Sequence, residues 1–212
     1  MWILNALGTS VGKKILMAIT GLFFCFFLLV HLIGNMMLYG GAKVFNSYAE
    51  HLHSLGPIIN IAEIFMLIFI TIHISTGFLL FIQNKNARPV RYQVNKNGGG
   101  RSLGSATMPY TGIFIFIFVV IHLLKFHFGK SDTQTIYDLV KIAFSNPGIV
   151  FFYVSAMLIV AVHVSHGFWS SFQSVGLNHE KYTPMIRTAG FIFSLIVGVG
   201  FGFIPIWIAF FT

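Results

Sequence analysis

The sequence predicts an all-α integral membrane bundle of five transmembrane helices, built as a parallel internal repeat of two helical hairpins plus one extra helix. Of its 212 residues, 56% are hydrophobic and 8% are charged, whereas soluble domains carry about 25% charged residues. Five apolar stretches are long enough to cross a bilayer, and histidines recur at matched spacing in the two halves of the chain. We expect residues 1–212 to form a single transmembrane domain.

The predicted spans cover residues 15–38, 58–82, 109–128, 148–172 and 188–211. Each is close to the about 20 residues that cross a hydrocarbon core about 30 Å thick. Lys13 and Lys14 precede the first span, as basic residues do in a signal peptide. Its apolar run exceeds a signal core of about 7–15 residues and no small-residue cleavage site follows, so we expect this span to be retained.

Basic residues predict the orientation of the bundle. With the N-terminus in the cytoplasm, nine Lys and Arg residues lie on the cytoplasmic side and three lie outside, as the positive-inside rule requires. The nine are Lys13, Lys14, Lys85, Arg88, Arg91, Lys96, Arg101, Lys181 and Arg187, and the three are Lys43, Lys130 and Lys141. The cytoplasmic loop 84–106 is either a flexible linker or a docking surface for a soluble partner. It lacks interleaved aromatic residues, so we expect no nucleic-acid binding.

Composition excludes two kinds of redox centre within this chain. Its single cysteine, Cys25, cannot supply a disulfide framework or the about four thiolates of an iron–sulfur cluster. The sequence has no glycine-rich nucleotide fingerprint, so flavin or nicotinamide chemistry must come from another subunit.

The internal repeat is carried by short motifs. In each half a Thr-Gly pair is followed after nine residues by a histidine, and a second histidine follows a proline by sixteen positions. The first half holds Thr20-Gly21, His31, Pro57 and His73, and the second holds Thr111-Gly112, His122, Pro147 and His163. Both hairpins start on the same side of the membrane, which makes the repeat parallel.

Helix geometry sorts these four histidines into two layers. At about 1.5 Å per residue, His31 and His122 lie about 20–24 Å from the cytoplasmic face. His73 and His163 lie about 22 Å below the outer face and are therefore near the cytoplasmic side. We call the first two the outer pair and the other two the inner pair. The pairs are predicted to be about 14 Å apart in height.

Two pairs of buried imidazoles indicate a cofactor rather than four separate hydrogen bonds between helices. The layer separation exceeds the about 3.5–4 Å between the ions of a dinuclear site. Each layer also offers only two of the about four ligands of structural zinc. Two axial histidines suit a six-coordinate haem iron, so we predict one haem in each pair. Bis-histidine ligation leaves no open position for oxygen, which makes electron transfer the expected role.

Two glycines are predicted to shape the inner haem site. Gly77 and Gly167 each follow a histidine of the inner pair by one helical turn, on the same helix face. Their missing side chains leave room for a flat macrocycle.

Protonatable residues near the outer face are candidates for quinone chemistry. Glu63 is the only carboxylate in a predicted span, which is too few for a carboxylate-rich di-iron bundle. It is either a helix-start acid favoured by the helix dipole or a proton acceptor for a ligand in the outer leaflet. A quinone is the expected ligand, since its redox chemistry needs protonatable groups near the ring. The candidates are Glu63, His53 and Glu50, in that order, the last two in an outer loop.

Four segments give the chain a family resemblance: Val30-His31-Leu32, Phe45-Asn46-Ser47, Ala62-Glu63-Ile64-Phe65 and the run from His163 to Ser170. They resemble the single-chain, di-haem cytochrome b subunit of succinate:quinone oxidoreductases and quinol:fumarate reductases, and the likeness covers nearly the whole chain. The resemblance implies a membrane anchor with two b haems that exchanges electrons with menaquinone or another quinone. It also implies a flavoprotein subunit and an iron–sulfur subunit on the cytoplasmic side of a bacterial inner membrane.

The resemblance also implies roles for particular residues. The axial ligands fall on His31 and His122 for the haem remote from the soluble subunits, and on His73 and His163 for the nearer haem. The quinone site lies near the remote haem, and the role of the family's acidic residue falls either on Glu63 or, if that group lies in the outer loop, on His51 and His53. The chain alone has no dicarboxylate chemistry, and the direction of catalysis and the pairing of complexes into dimers stay open.

Two other functions stay open at this point. A cytochrome b subunit of a hydrogenase or formate dehydrogenase shares the haem chemistry but docks its partner on the outer face. A small transporter built on a parallel repeat shares the repeat but binds no haem.

Overall fold

The computed structural model describes residues 8–87, 102–129, 131 and 133–212, and within them seven α-helices follow one another along the chain. Five stretches are long and apolar enough to cross a membrane, which confirms the predicted class of fold. The long helices are α1 (Ser10–Met36), α3 (Pro57–Asn86), α4 (Leu103–His122), α6 (Pro147–Ser174) and α7 (Thr183–Phe211); the short ones are α2 (Gly41–Ser54) and α5 (Ile136–Phe144).

The third span differs from its prediction at both ends. Helix α4 begins at Leu103, six residues before the predicted start, because the Ser102 hydroxyl caps it by accepting a hydrogen bond from the Ser105 amide. Pro109 therefore lies inside the helix rather than at its beginning. At the other end the helix continues as one π-helical turn, Leu123–His127. Such turns are rare and often occur at functional sites.

The two short helices correct the prediction of simple outer loops. We call the end of the bundle where α1 begins the inner end and the opposite end the outer end, after the predicted orientation. Helices α2 and α5 pack against each other at the outer end, where the Asn46 side chain accepts a hydrogen bond from the Tyr137 amide (3.1 Å). Glu50 and His53 thus lie on helix α2 rather than in a loop. This helix packs against the bundle through Phe45, which is buried.

Close helix packing in the bundle depends on small residues. Helix α6 contacts α1, α4 and α7, and a Cβ added at Gly198 of α7 would lie 2.8 Å from Ala161 of α6. Large apolar side chains such as Phe26, Phe151 and Phe210 are exposed on the outside of the bundle. Such a surface suits lipid, where helices satisfy their own backbone hydrogen bonds.

Some predictions fall on residues that the structure does not describe. Most of the loop 84–106, including Arg88, Arg91, Lys96 and Arg101, lies in the gap between residues 87 and 102, and Lys130 also lies outside the described ranges. The orientation of the bundle and its parallel repeat therefore remain predictions.

Candidate functional site

The inner pair is held by two matching hydrogen bonds. The Nδ1 atom of His73 on α3 lies 3.0 Å from the Thr20 hydroxyl on α1. The Nδ1 atom of His163 on α6 lies 3.0 Å from the Thr111 hydroxyl on α4.

The threonine hydroxyls have acceptors of their own within their helices. The Thr20 hydroxyl lies 2.8 Å from the Leu16 carbonyl, and the Thr111 hydroxyl lies 3.1 Å from the Thr107 carbonyl. A hydroxyl carries one proton and a carbonyl only accepts. With that proton on the carbonyl, each threonine oxygen accepts from the imidazole Nδ1–H, and the lone pair of the other imidazole nitrogen, Nε2, is left for a metal.

The outer pair brings two imidazole rings into direct proximity. The ring centres of His31 on α1 and His122 at the end of α4 are 6.0 Å apart, and the ring planes are at 90°. Imidazole nitrogens bind a metal such as zinc at about 2.0–2.1 Å, so two of them on opposite sides of one ion have ring centres roughly 6 Å apart. The separation of the outer pair therefore matches one shared metal ion.

The two pairs lie at different heights in the bundle. Thr20 and His31 are eleven residues apart on the unbroken helix α1, which corresponds to about 16 Å along its axis. Thr111 and His122 are separated by the same number of residues on α4. The contacts of the threonines with the inner pair thus place that pair about three helical turns from the outer one, in agreement with the two predicted layers.

Aromatic rings surround the outer pair. Phe27 stacks on His31 with ring centres 5.2 Å apart, and Phe118 and Tyr153 lie 5.8 and 6.1 Å from the His122 ring. Among the described residues, the buried Nδ1 of His122 and the buried hydroxyl of Tyr153 have no hydrogen-bond partner. A buried polar atom without a partner is costly, and a bound polar ligand is one explanation for it.

Glycines line the inner site from two directions. A Cβ added at Gly77 would lie 3.0 Å from the terminal methyl of Met17, and one added at Gly167 would lie 3.9 Å from that of Met108. The space beside both predicted glycines therefore holds the end of a flexible side chain, which is easily displaced.

Sequence reasoning assigned no site role to Gly21 and Gly112, although it used both as repeat markers. A Cβ at Gly21 would lie 3.6 Å from Cε1 of His73, and one at Gly112 would lie 3.6 Å from Cε1 of His163. The signal for these glycines, and for the threonines before them, was the Thr-Gly motif shared by the two halves.

Near the outer end, the structure pairs Glu63 with a histidine that sequence reasoning left without a function. Nδ1 of His127 lies 4.0 Å from a carboxylate oxygen of Glu63, and both side chains are about half exposed (48% and 51%). His53 is exposed and its Nδ1 donates to the Ala49 carbonyl (2.7 Å). Glu50 is exposed on the same helix, α2. Of the three predicted proton-handling residues, only Glu63 has an ionisable partner in the described residues.

These observations define a class of protein: a multi-pass helical membrane protein with two pairs of partly buried histidines. The residues fit bis-histidine ligation of haem, on the ring separation of the outer pair and the hydrogen-bonded Nδ1 atoms of the inner pair.

The chain is similar to the succinate dehydrogenase cytochrome b558 subunit of Bacillus subtilis (strain 168), with 27% identity over 181 residues that cover 84% of each chain. This similarity confirms the resemblance to the cytochrome b subunit of succinate:quinone oxidoreductases. No protein-family model matches the chain. No solved structure matches it either.

Proposed function

We propose that this chain is the membrane anchor and di-haem cytochrome b subunit of a succinate dehydrogenase or fumarate reductase complex. The observation that carries the proposal is the outer pair, whose rings on α1 and α4 are 6.0 Å apart, and it is supported by the matching threonine contacts of His73 and His163. The name of the Bacillus subtilis relative supports it, because that protein is a cytochrome b subunit of succinate dehydrogenase.

In this proposal each histidine pair holds one haem b. His31 and His122 would hold the outer haem, and His73 and His163 would hold the inner haem. Gly77 and Gly167 leave space beside the inner macrocycle. When bound between two histidines, haem supplies one-electron transfer, because no axial position is left for oxygen.

The outer end would bind the quinone, either menaquinone or another quinone. Glu63 and His127 lie 4.0 Å apart there, so an ionisable carboxylate and an imidazole are both available to exchange a proton with a quinone oxygen. His53 and Glu50 on α2 are the next candidates. The aromatic rings around the outer pair separate that pair from water.

The inner end would dock the soluble partners. A flavoprotein and an iron–sulfur subunit are expected on the cytoplasmic side of a bacterial inner membrane, facing the basic loop 84–106 and the N-terminus. The inner pair would then be the one nearer to the iron–sulfur subunit.

Purification of the complex through a tag on this chain tests the proposal. We expect a b-type reduced-minus-oxidised spectrum with two haems per chain, together with a flavoprotein and an iron–sulfur protein identified by mass spectrometry. A colourless protein would contradict the proposal and favour a transporter. Partner subunits on the outer face would instead favour a hydrogenase or formate dehydrogenase cytochrome.

A further inference from the structure

We propose that Thr20 and Thr111 are positioning residues that direct Nε2 of His73 and His163 to the metal and lower the midpoint potential of the inner haem. This inference rests on the proposed function, since it requires haem in the inner pair. It assigns two residues that neither touch the quinone nor ligate iron.

The geometry of the two contacts is the same in both halves of the chain. Each threonine lies in the middle of a helix, and its oxygen lies 3.0 Å from the Nδ1 of a histidine on another helix. Thr20 is only 2% exposed, so water does not compete for this hydrogen bond. The same contact occurs between α1 and α3 and between α4 and α6. Because it occurs twice, it is not explained by the chance position of one side chain.

The direction of the hydrogen bond follows from the neighbouring acceptors. The Thr20 hydroxyl lies close to the carbonyls of Leu16 (2.8 Å) and Met17 (3.2 Å), and the Thr111 hydroxyl lies 3.1 Å from the carbonyls of Thr107 and Met108. With the hydroxyl proton on a carbonyl, the threonine oxygen accepts from Nδ1–H.

An acceptor on Nδ1–H affects the metal as well as the ring. It fixes the tautomer and orientation of the imidazole and raises its basicity as a ligand. A more basic ligand favours the more positively charged ferric iron over ferrous iron. Each threonine hydroxyl therefore lowers the midpoint potential of the haem that its histidine ligates.

The residue types in these motifs suit this task. Threonine is β-branched, so its hydroxyl has few side-chain rotamers available in a helix. The next residue is glycine in both motifs, and a Cβ there would lie 3.6 Å from the imidazole Cε1. The hydroxyl is therefore the group in each motif that locates the histidine ring.

The outer pair provides a contrast within the same molecule. Nδ1 of His122 has no partner among the described residues. The polar group beside the His31 ring in the described residues is the Asn35 amide nitrogen, 3.4 Å from each ring nitrogen. No threonine hydroxyl supports either ring there within the described part of the chain, so loss of Thr20 or Thr111 should leave the outer haem unchanged.

The test is an optical redox titration of the purified complex carrying Thr20→Val, Thr111→Val or both. We expect each single variant to weaken the preference of the inner site for ferric over ferrous iron by about tenfold, which raises the inner midpoint potential by about 59 mV for a one-electron couple. The outer midpoint potential should not move. The Thr20→Ser variant, which keeps the hydroxyl, should restore the wild-type potential.

Thr71→Val is the matched control. Thr71 lies two residues before His73 on α3, but its hydroxyl donates to the Leu67 carbonyl (2.8 Å) on the exposed side of the helix. This variant should shift neither haem.

Each result bears on the inference. The inference is overturned if the double valine variant keeps both haems and the inner midpoint potential does not change. It is also overturned if both haems shift equally, or if Thr71→Val gives the same shift. If valine causes loss of the inner haem, retention in Thr20→Ser supports the inference and loss there overturns it. A wild-type complex without haem overturns the proposed function itself, and with it this inference.

Discussion

The two histidine pairs differ in how the protein holds them. In the inner pair both Nδ1 atoms have a threonine hydroxyl as partner, at 3.0 Å. In the outer pair the rings themselves are close, at 6.0 Å, and lie among phenylalanine and tyrosine rings, while Nδ1 of His122 has no partner in the described residues. The inner pair is oriented by hydrogen bonds and the outer pair mainly by packing.

In the proposed function, this difference corresponds to two separate tasks, electron transfer at the inner pair and quinone chemistry near the outer pair. Orientation by hydrogen bonds suits a site that only passes electrons, because the ligand geometry is fixed before the cofactor binds. The outer pair lies toward the end of the bundle where Glu63 and His127 meet and where α2 and α5 cover the helix ends. Proton transfer to a quinone needs such ionisable groups within reach.

Replacing a single histidine should have the largest effect on the difference between the two pairs. His73→Leu should remove the inner haem and leave the outer one, and His31→Leu should do the reverse, since the pairs share no ligand. Haem content, measured by pyridine haemochrome assay, should fall from two per chain to one, and each variant should lose a different component of the redox titration. His51 is an exposed histidine on α2, and the control variant His51→Leu should keep both haems. Loss of both haems from His73→Leu would show that the two sites are not independent.

Loss of the ionisable pair at the outer end should affect quinone turnover and leave haem binding intact. Glu63→Gln removes the charge that faces His127, and we expect turnover to fall about 100-fold, within the usual range for a lost general acid or base. His127→Gln should give a smaller loss, and the double variant should be no worse than Glu63→Gln because the two groups act as one unit.

Steady-state quinone assays on the purified complex provide the measurement, with His51→Gln as the control that should not change turnover. Full turnover in Glu63→Gln would remove this residue from the proposed quinone site. Full turnover in His127→Gln alone would limit the proton-handling group to Glu63.

Filling the inner site should have the smallest effect on function and affect only one pair. Gly77→Leu places a bulky side chain where the Met17 methyl now lies, and we expect reduced occupancy of the inner haem with the outer haem as the internal control. Gly77→Ala should have little effect, because its Cβ would be 3.0 Å from the flexible end of Met17. Equal loss of both haems in Gly77→Leu would indicate a general folding defect instead.

The five spans could be predicted because length and continuous hydropathy alone determine them. The two outer helices were missed for the same reason: α2 and α5 have 14 and 9 residues and are apolar on one side only. A local signal for α5 was available, since Thr135 and Asp138 form a capping box at its start.

The histidine pairs could be predicted from spacing, but their surroundings could not. The contact of Thr20 with His73 depends on the rotation of α1 against α3, which a repeat in the sequence indicates only indirectly. The approach of His127 to Glu63 follows a π-helical turn closed by the Phe128 amide and the Leu123 carbonyl (2.9 Å). That turn changes the direction of the side chains after His122, so regular helix spacing of about 100° per residue does not locate His127.

A density map of the purified complex, determined by electron cryo-microscopy, would show whether haem occupies both histidine pairs. We expect one planar macrocycle between His31 and His122 and a second between His73 and His163, each with iron bonded to both imidazoles. We also expect Nε2, rather than Nδ1, to face the iron in the inner pair. Continuous helix packing between these histidines, with no macrocycle in either position, would contradict the proposed haem sites.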